Sequence, residues 1–389
     1  MRLMPINEKF KYLKYTYEQF ITFAKLEIYH FDLLNRFVSL RKPKLYCFKC
    51  VAEEQLGIQP SKFKELLRKL RNYNLRFSAL IDTNLIGLRK VVIFVPGKEI
   101  NDVSKVPLRP WLRGLTRSIS PRGTFLTYYY PWNADLNTLL SAFDENVEFF
   151  VSFKSVAQTP RFNLFFDWKI PGIKPLNRVA DRLLVDIKKS YDLSKSPIDS
   201  LLSFRPQVST PKDWLDLLIM KELEKNAFIG IDGLSKILGY RKASVRKHFV
   251  NHVNNAVVTI RPKFAFMDPE ASALIAGLIY SRDIKLIRAF LDVMIKTPYL
   301  VMALICNDAL IAQMNIYYRD LPFLSEFLTN IGFNDFDIHV CTYVGAKSFT
   351  LPWSNFDLWN GSWALIRTEV IERKLEERFR RRTGKAFEE

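Results

Sequence analysis

At 389 residues, with 48% hydrophobic and 14% aromatic side chains, the chain is long enough for more than one packed core and too apolar for a disordered protein. A formal charge of +18 and a pI near 9.6 point to an anionic partner, nucleic acid foremost, with a Lys- and Arg-rich surface kept for solubility as the plainer account. The first twenty residues are charged and lack an apolar stretch, so a signal peptide is not expected. The greasiest region, Tyr299–Tyr318, is split by Asn307-Asp308 and suits a hairpin better than a membrane span, which leaves a cytoplasmic protein as the expectation.

Residues 1–27 form a basic, aromatic leader with room for a helix. From residue 28 to 86 the spacing predicts three helices and a strand. Leu33, Leu34 and Phe37 mark the first helix, Cys50-Val-Ala-Glu-Glu-Gln-Leu-Gly57 the second, and Gln59-Pro-Ser-Lys through Leu70 the third, with Pro60 in its first turn. Cys47-Phe-Lys-Cys50 is a lone C-x-x-C without a second Cys or His pair nearby, so it reads as two small apolar residues opening a helix rather than as a metal or redox site. The outward side of the third helix carries Lys62, Lys64, Glu65, Arg68 and Lys69.

Residues 87–169 follow as strand Lys90–Val95, an irregular crossover through Pro110, strand Trp111–Ile119, turn Ser120-Pro-Arg-Gly123, strand Thr124–Tyr130, helix Leu136–Phe143 and strand Val147–Phe153. A connecting segment, 170–211, holds one amphipathic helix over Val179–Ser190. Residues 212–268 then repeat the opening pattern. Leu215, Leu218, Ile219 and Leu223 recur at helical spacing, a short helix closes at Leu238-Gly239, and a basic third helix packs through Val245, Phe249 and Val253 before the β run from Val257. Its outward and leading residues are Arg241, Lys242, Ala243, Ser244, Arg246, Lys247 and Val250. His248 and His252 lie four apart on it, with no neighbouring acid or third ligand in the local sequence, and so read as helix surface and core edge rather than as ligands.

Residues 269–360 give strand Leu274–Tyr280, helix Asp283–Lys296, strand Tyr299–Cys306, a turn at Asn307-Asp308, strand Ala309–Tyr318, helix Leu321–Asn330 and strand Phe336–Val344. That order is βαββαβ. Residues 361–389 close the chain with a basic helix, Trp363 to about Arg382. Leu56-Gly57 and Leu238-Gly239 are separated by 182 residues, and the same offset pairs Phe63 with Val245, Leu67 with Phe249 and Leu33 with Leu215. The chain therefore reads as an internal duplication. The expected fold class is α+β: two winged helix-turn-helix units, each followed by a ferredoxin-like βαββαβ domain.

Leu215–Leu223, Leu234-Ser-Lys-Ile-Leu-Gly239 and Ser244-Val245-Arg246 in the second half, with Leu75–Asp82, Gly87-Leu88 and Val91–Val95 in the first, resemble the Lrp/AsnC-type (feast/famine) transcription regulators, in an archaeal-like tandem duplication over most of residues 28–360. The resemblance implies double-stranded DNA as partner, with one third helix on each of two half-sites and the sheet domains pairing or sensing an effector. The two sheet domains of one chain would supply the pairing that two subunits supply in the family, as a pseudo-dimeric monomer or as part of a homodimer. The family's Gly-Asp turn, which helps hold an amino-acid effector, is replaced here by Ser120-Pro-Arg-Gly123 and Asn307-Asp308, so a small-molecule effector is left open. The residues expected at DNA are Lys62, Lys64, Arg68, Lys69, Arg241, Lys242, Ser244, Arg246 and Lys247.

Two other classes compete with that reading. The signatures of an enzyme are missing: there is no Walker loop, no G-x-G-x-x-G, no H-E-x-x-H, no nucleophile elbow and no paired-carboxylate site. No catalytic residue, metal ligand or cofactor is therefore expected. The other alternative is a non-catalytic transcription or replication assembly factor that binds protein, RNA or single strands, with Tyr128-Tyr-Tyr130-Pro-Trp132 as stacking residues; strand side chains filling sheet faces are the plainer account of that run.

Overall fold

The computed structural model describes residues 8–143, 146–193, 213–306, 309–357 and 361–365. Helix α1 (Glu8–Leu26) opens the chain and buries Phe20, Phe23 and Ala24. In α2 (Ile28–Val38), Leu34, Phe37 and Val38 recur on one side and are fully buried. The next helix starts as a short turn, Phe48–Cys50, and continues as a π-helical turn, Val51–Leu56, which ends at Gly57 with a left-handed φ of 65°. Helix α3 (Pro60–Asn72) begins on a proline, whose missing N–H costs nothing in the first turn, and buries Phe63, Leu66 and Leu70. Strand β1 (Phe77–Ile81) completes this unit.

Strands β2 (Leu88–Pro96), β3 (Leu112–Ser120), β4 (Arg122–Pro131) and β5 (Glu148–Ala157) follow, with α4 (Leu136–Leu140) between the last two. The crossover from β2 to β3 is two 3₁₀ turns, Val103–Lys105 and Arg109–Trp111, rather than a helix. A two-residue ladder, β6 (Phe166–Asp167) with β7 (Gly172–Ile173), leads to α5 (Ala180–Asp192). The expected segment 170–211 is thus structured in its first half, while 194–212 lie outside the described residues.

In the second half, Asp213 caps α6 (Trp214–Lys225) by accepting from the Asp216 N–H. Next come α7 (Gly230–Leu238), α8 (Lys242–His248), which runs on through a π turn at Phe249–Val253, and β8 (Val257–Pro262). The remaining order is β9 (Ser272–Ile279), α9 (Ile284–Met294), β10 (Leu300–Cys306), β11 (Leu310–Tyr317), α10 (Leu321–Ile331) and β12 (Phe336–Ser348). Asn307-Asp308 and the basic helix expected beyond Leu365 lie outside the described residues. No helix among the described residues is long and apolar enough to cross a membrane.

The eight long strands close into one antiparallel barrel, in the order β10-β11-β9-β12-β3-β4-β2-β5. Two sheets were expected in two separate domains. Instead each half's four strands stay together, and the halves join at two seams, β5 with β10 and β12 with β3. Exchanging β2–β5 for β9–β12 leaves the set of pairings unchanged. The expected wing strands do not stand free either: β1 pairs with β8 in a two-stranded ribbon, Ser78 opposite Arg261.

Strand alternation explains why so apolar a set of strands suits a barrel. Val92, Phe94, Phe125, Leu274, Leu278, Leu304, Ile311 and Cys341 fill the lumen. Their neighbours Val91, Ile93, Ile275, Ala303, Ile305 and Met314 face outward into a larger core shared with the helices. Gly123 is required by this packing, because a Cβ there would sit 2.5 Å from the Phe94 ring. Tyr128, Tyr129 and Tyr130 are buried, so they fill sheet faces and do not form an exposed stacking platform.

Candidate functional site

The expected binding residues lie on two helices. On α3, Lys62, Lys64 and Arg68 are exposed, whereas Lys69 is half-buried and bound to Glu27 at 2.7 Å. On α8, Arg241, Lys242, Arg246 and Lys247 are exposed and Ser244 is half-buried, with Lys242 paired to Asp232 at 2.7 Å. Each set makes these contacts within its own half of the chain. Lys69 thus lies partly inward, held by the acid at the start of α2. Glu65, also read as outward, is exposed and lies 3.5 Å from His30 Nε2.

Two other expectations fail on contacts that the local sequence does not spell out. Cys47 and Cys50 do not simply open a helix; they are joined by a disulfide, and Cys47 Sγ accepts from the Cys50 N–H at 3.2 Å. His248 and His252 do have an acid neighbour, since fully buried Asp216 reaches both imidazoles from α6.

The most unusual chemistry sits elsewhere, at the end of the barrel that the β1–β8 ribbon covers. Lys90 lies on the lumen face of β2, in line with Val92 and Phe94, and is only 4% exposed. Its Nζ donates to Ser155 Oγ at 2.6 Å and lies 5.7 Å from the centre of the Tyr129 ring. Arg113 on β3 stands 5.3 Å over the same ring and donates to Glu224 Oε1 at 3.3 Å. Glu224 comes from the end of α6, and its other oxygen accepts from the Leu351 N–H at 2.9 Å. From the ribbon, Arg261 Nε donates to Ser78 Oγ at 3.0 Å, and Lys263 Nζ donates to the Lys225 carbonyl at 3.4 Å. A separate pair, Lys154 with Asp82 at 3.1 Å, ties β5 to the end of β1.

Charge is unbalanced here. Lys90 and Lys263 each feel Arg113 and Arg261, and those two guanidinium groups feel each other; Glu224 contacts Arg113 directly, and Asp82 adds a weaker pull on Lys90. Burial, then Arg113 and Arg261, lowers the Lys90 amine to about 7. Burial and the same two guanidinium groups lower Lys263 to about 8. Burial raises the Tyr129 hydroxyl, against the pull of Arg113. The Arg113 side chain keeps 16% of its surface accessible, so the cluster is not sealed. Such a site can take an anion, offer it a planar guanidinium fork, and exchange a proton at neutral pH.

These residues were absent from the expected set. A signal for Lys90 did exist, because a lysine in register with Val92 and Phe94 on an otherwise apolar strand face is out of place. Nothing local marks Arg113, Arg261 or Glu224. A cleft of about 280 Å³ between α5 and α9 also carries cations, Arg161, Arg182, Lys189 and Lys296, yet Asp186 and Asp292 share its walls and Arg182 is well exposed.

No protein-family model matches the chain, and no curated protein does. Among solved structures the chain is similar to the siroheme decarboxylase NirDL, with 14% identity and a TM-score of 0.45 over 90% of this chain and 97% of that one. It is also similar to the same decarboxylase in co-complex with an iron-uroporphyrin III analogue, with 13% identity and a TM-score of 0.44 over 90% and 98%. Both structures are of an enzyme. The expectation of a non-enzymatic, sequence-specific DNA-binding regulator is withdrawn on that finding.

Proposed function

We propose that the chain is an enzyme that binds a small carboxylate-bearing anion at the ribbon-covered end of the barrel and moves a proton on it at Lys90 Nζ. The observation that carries this reading is the charge imbalance among the described residues, with Lys90, Arg113 and Arg261 close together, Glu224 in contact with Arg113, and Asp82 a weaker acidic neighbour of Lys90. Buried like charges are costly unless something compensates them, and a bound anion would do so. Arg113 and Arg261 would hold the carboxylate, Glu224 would position Arg113, and Tyr129 would wall the site. A Lys90 amine near 7 can carry or release a proton in the neutral range, which an ordinary lysine does not.

The same reading takes the chain as an internal pair with an Lrp/AsnC-like layout in cytoplasmic surroundings. Residues 28–86 and 212–268 would be winged helix-turn-helix units, and 87–169 and 269–360 ferredoxin-like units. The seams β5–β10 and β12–β3 would then take the place of a dimer interface.

Titration calorimetry of citrate, inorganic phosphate and siroheme into the full chain, Arg113→Leu and Lys90→Met tests the proposal. Expected are binding of a carboxylate, its loss in Arg113→Leu, and heats that depend on the buffer's ionisation in the parent but not in Lys90→Met. Absence of carboxylate binding, or binding indifferent to both substitutions, would overturn it.

A further inference from the structure

We propose that Asp216, His248 and His252 form a site for a zinc-class divalent transition metal, which would lock α6 to α8. The three offer one carboxylate oxygen and two imidazole nitrogens, all within 4.8 Å of one another. Asp216 Oδ1 lies 2.9 Å from His248 Nδ1 and 3.1 Å from His252 Nδ1. Ligands about 2.1 Å from one metal, at angles between square and tetrahedral, stand about 3.0–3.4 Å apart, so these separations need little adjustment.

The placement follows from the elements. His248 and His252 are one helical turn apart, at the end of α8 and in the π turn that continues it, so both side chains leave the same face. Asp216 is in the first turn of α6 and has no exposure, which fixes its carboxylate beneath that face. The rings stand edge-on to each other, centres 5.3 Å apart and planes at 89°, so their lone pairs can converge without the rings colliding. Both imidazoles keep 19% of their surface accessible, which gives a path for an ion from solvent. Asp213, 41% exposed, places an oxygen 3.5 Å from His248 Nδ1 and could provide a fourth ligand where water does not. Two imidazoles and a carboxylate suit zinc, cobalt or nickel better than calcium or magnesium, which take oxygen ligands.

A purely structural role exists for the same atoms: one carboxylate oxygen accepting two imidazole N–H groups would clamp the helices without any metal. The two roles separate in titration. Zn²⁺ and Co²⁺ are added to the full chain and to a Cys47→Ser/Cys50→Ser form, which cannot offer thiolates through reduction of the Cys47–Cys50 disulfide. Expected are one equivalent bound in both, a visible Co²⁺ absorption band with imidazole ligation, and a higher Tm with zinc that EDTA reverses. His248→Ala and His252→Ala should each weaken zinc binding by about tenfold or more while circular dichroism stays that of the parent. Asp216→Asn should do the same if it folds, and the two histidine variants decide the matter if it does not. No zinc-induced change in Tm, or zinc affinity unchanged in both histidine variants, would overturn the site and leave the clamp.

Discussion

Lys90 holds an amine where its direct hydrogen-bond partner is a hydroxyl, Ser155, and its charged neighbours include two guanidinium groups. Its folded pKa, about 7, lies below the ordinary 10.5, so between those values the unfolded chain binds more protons than the folded one and stability must rise with pH. Below about 7 the amine is charged in both states and its full cost is present. Lys90→Met, which fills similar volume without charge, should therefore stabilise the fold below pH 7 by about 1–2 kcal/mol and lose most of that advantage as pH approaches 10. Denaturant unfolding of both proteins across that range checks the slope; a difference independent of pH would mean that Lys90 does not titrate as described. Glu224→Gln acts in the opposite direction. It strips the cluster of the carboxylate that contacts Arg113, and removing one partner of a buried pair costs about 3–5 kcal/mol, towards the lower end here because Arg113 is partly accessible.

Among the elements, the β1–β8 ribbon and the aromatic groups beneath it make the two helical units one body. Phe228, from the turn after α6, stands 5.0 Å from Phe37 and 5.8 Å from Phe77, both of the first unit, and Ala227 N–H donates to the Phe77 carbonyl at 2.9 Å. Phe228→Ala should cost about 3 kcal/mol and loosen both units together, seen as faster amide exchange in α2 as well as α6. Exchange confined to α6 would show the units to be independent. Elements of this kind were legible singly: the helical spacing of Leu215, Ile219 and Leu223 and the alternation in Val91–Val95 come from each element having an apolar partner surface, whatever that surface is. Their partners were not legible. Nothing in Phe77–Ile81 says that it pairs with Val257–Pro262, and nothing around His248 says that Asp216 arrives from a different helix.

For the whole molecule, the same limit applies to the barrel and to the site at its end. The order of strands could be read from periodicity, but the seams depend on how two sheets meet, and Lys90, Arg113, Glu224 and Arg261 come together only after the seams and the ribbon have formed. Closure makes a strong statement about cooperativity. Ala303 lies at the middle of β10, opposite Ala312 of β11 in its own half and opposite Val156 of β5 across the seam. A proline there removes an N–H from the ladder, adds a ring to a position with no exposed surface, and costs about 3 kcal/mol or more. Because β10 joins the halves, the loss cannot stay in one of them. In the parent, tryptophan fluorescence and far-ultraviolet dichroism should report one coincident unfolding transition, since Trp111 and Trp214 lie in different halves of a shared core. In Ala303→Pro both signals should move to lower denaturant by the same amount. Two separated transitions in either protein would mean that each half keeps its own core, and the barrel would then be a contact between two domains rather than the body that positions the cationic site.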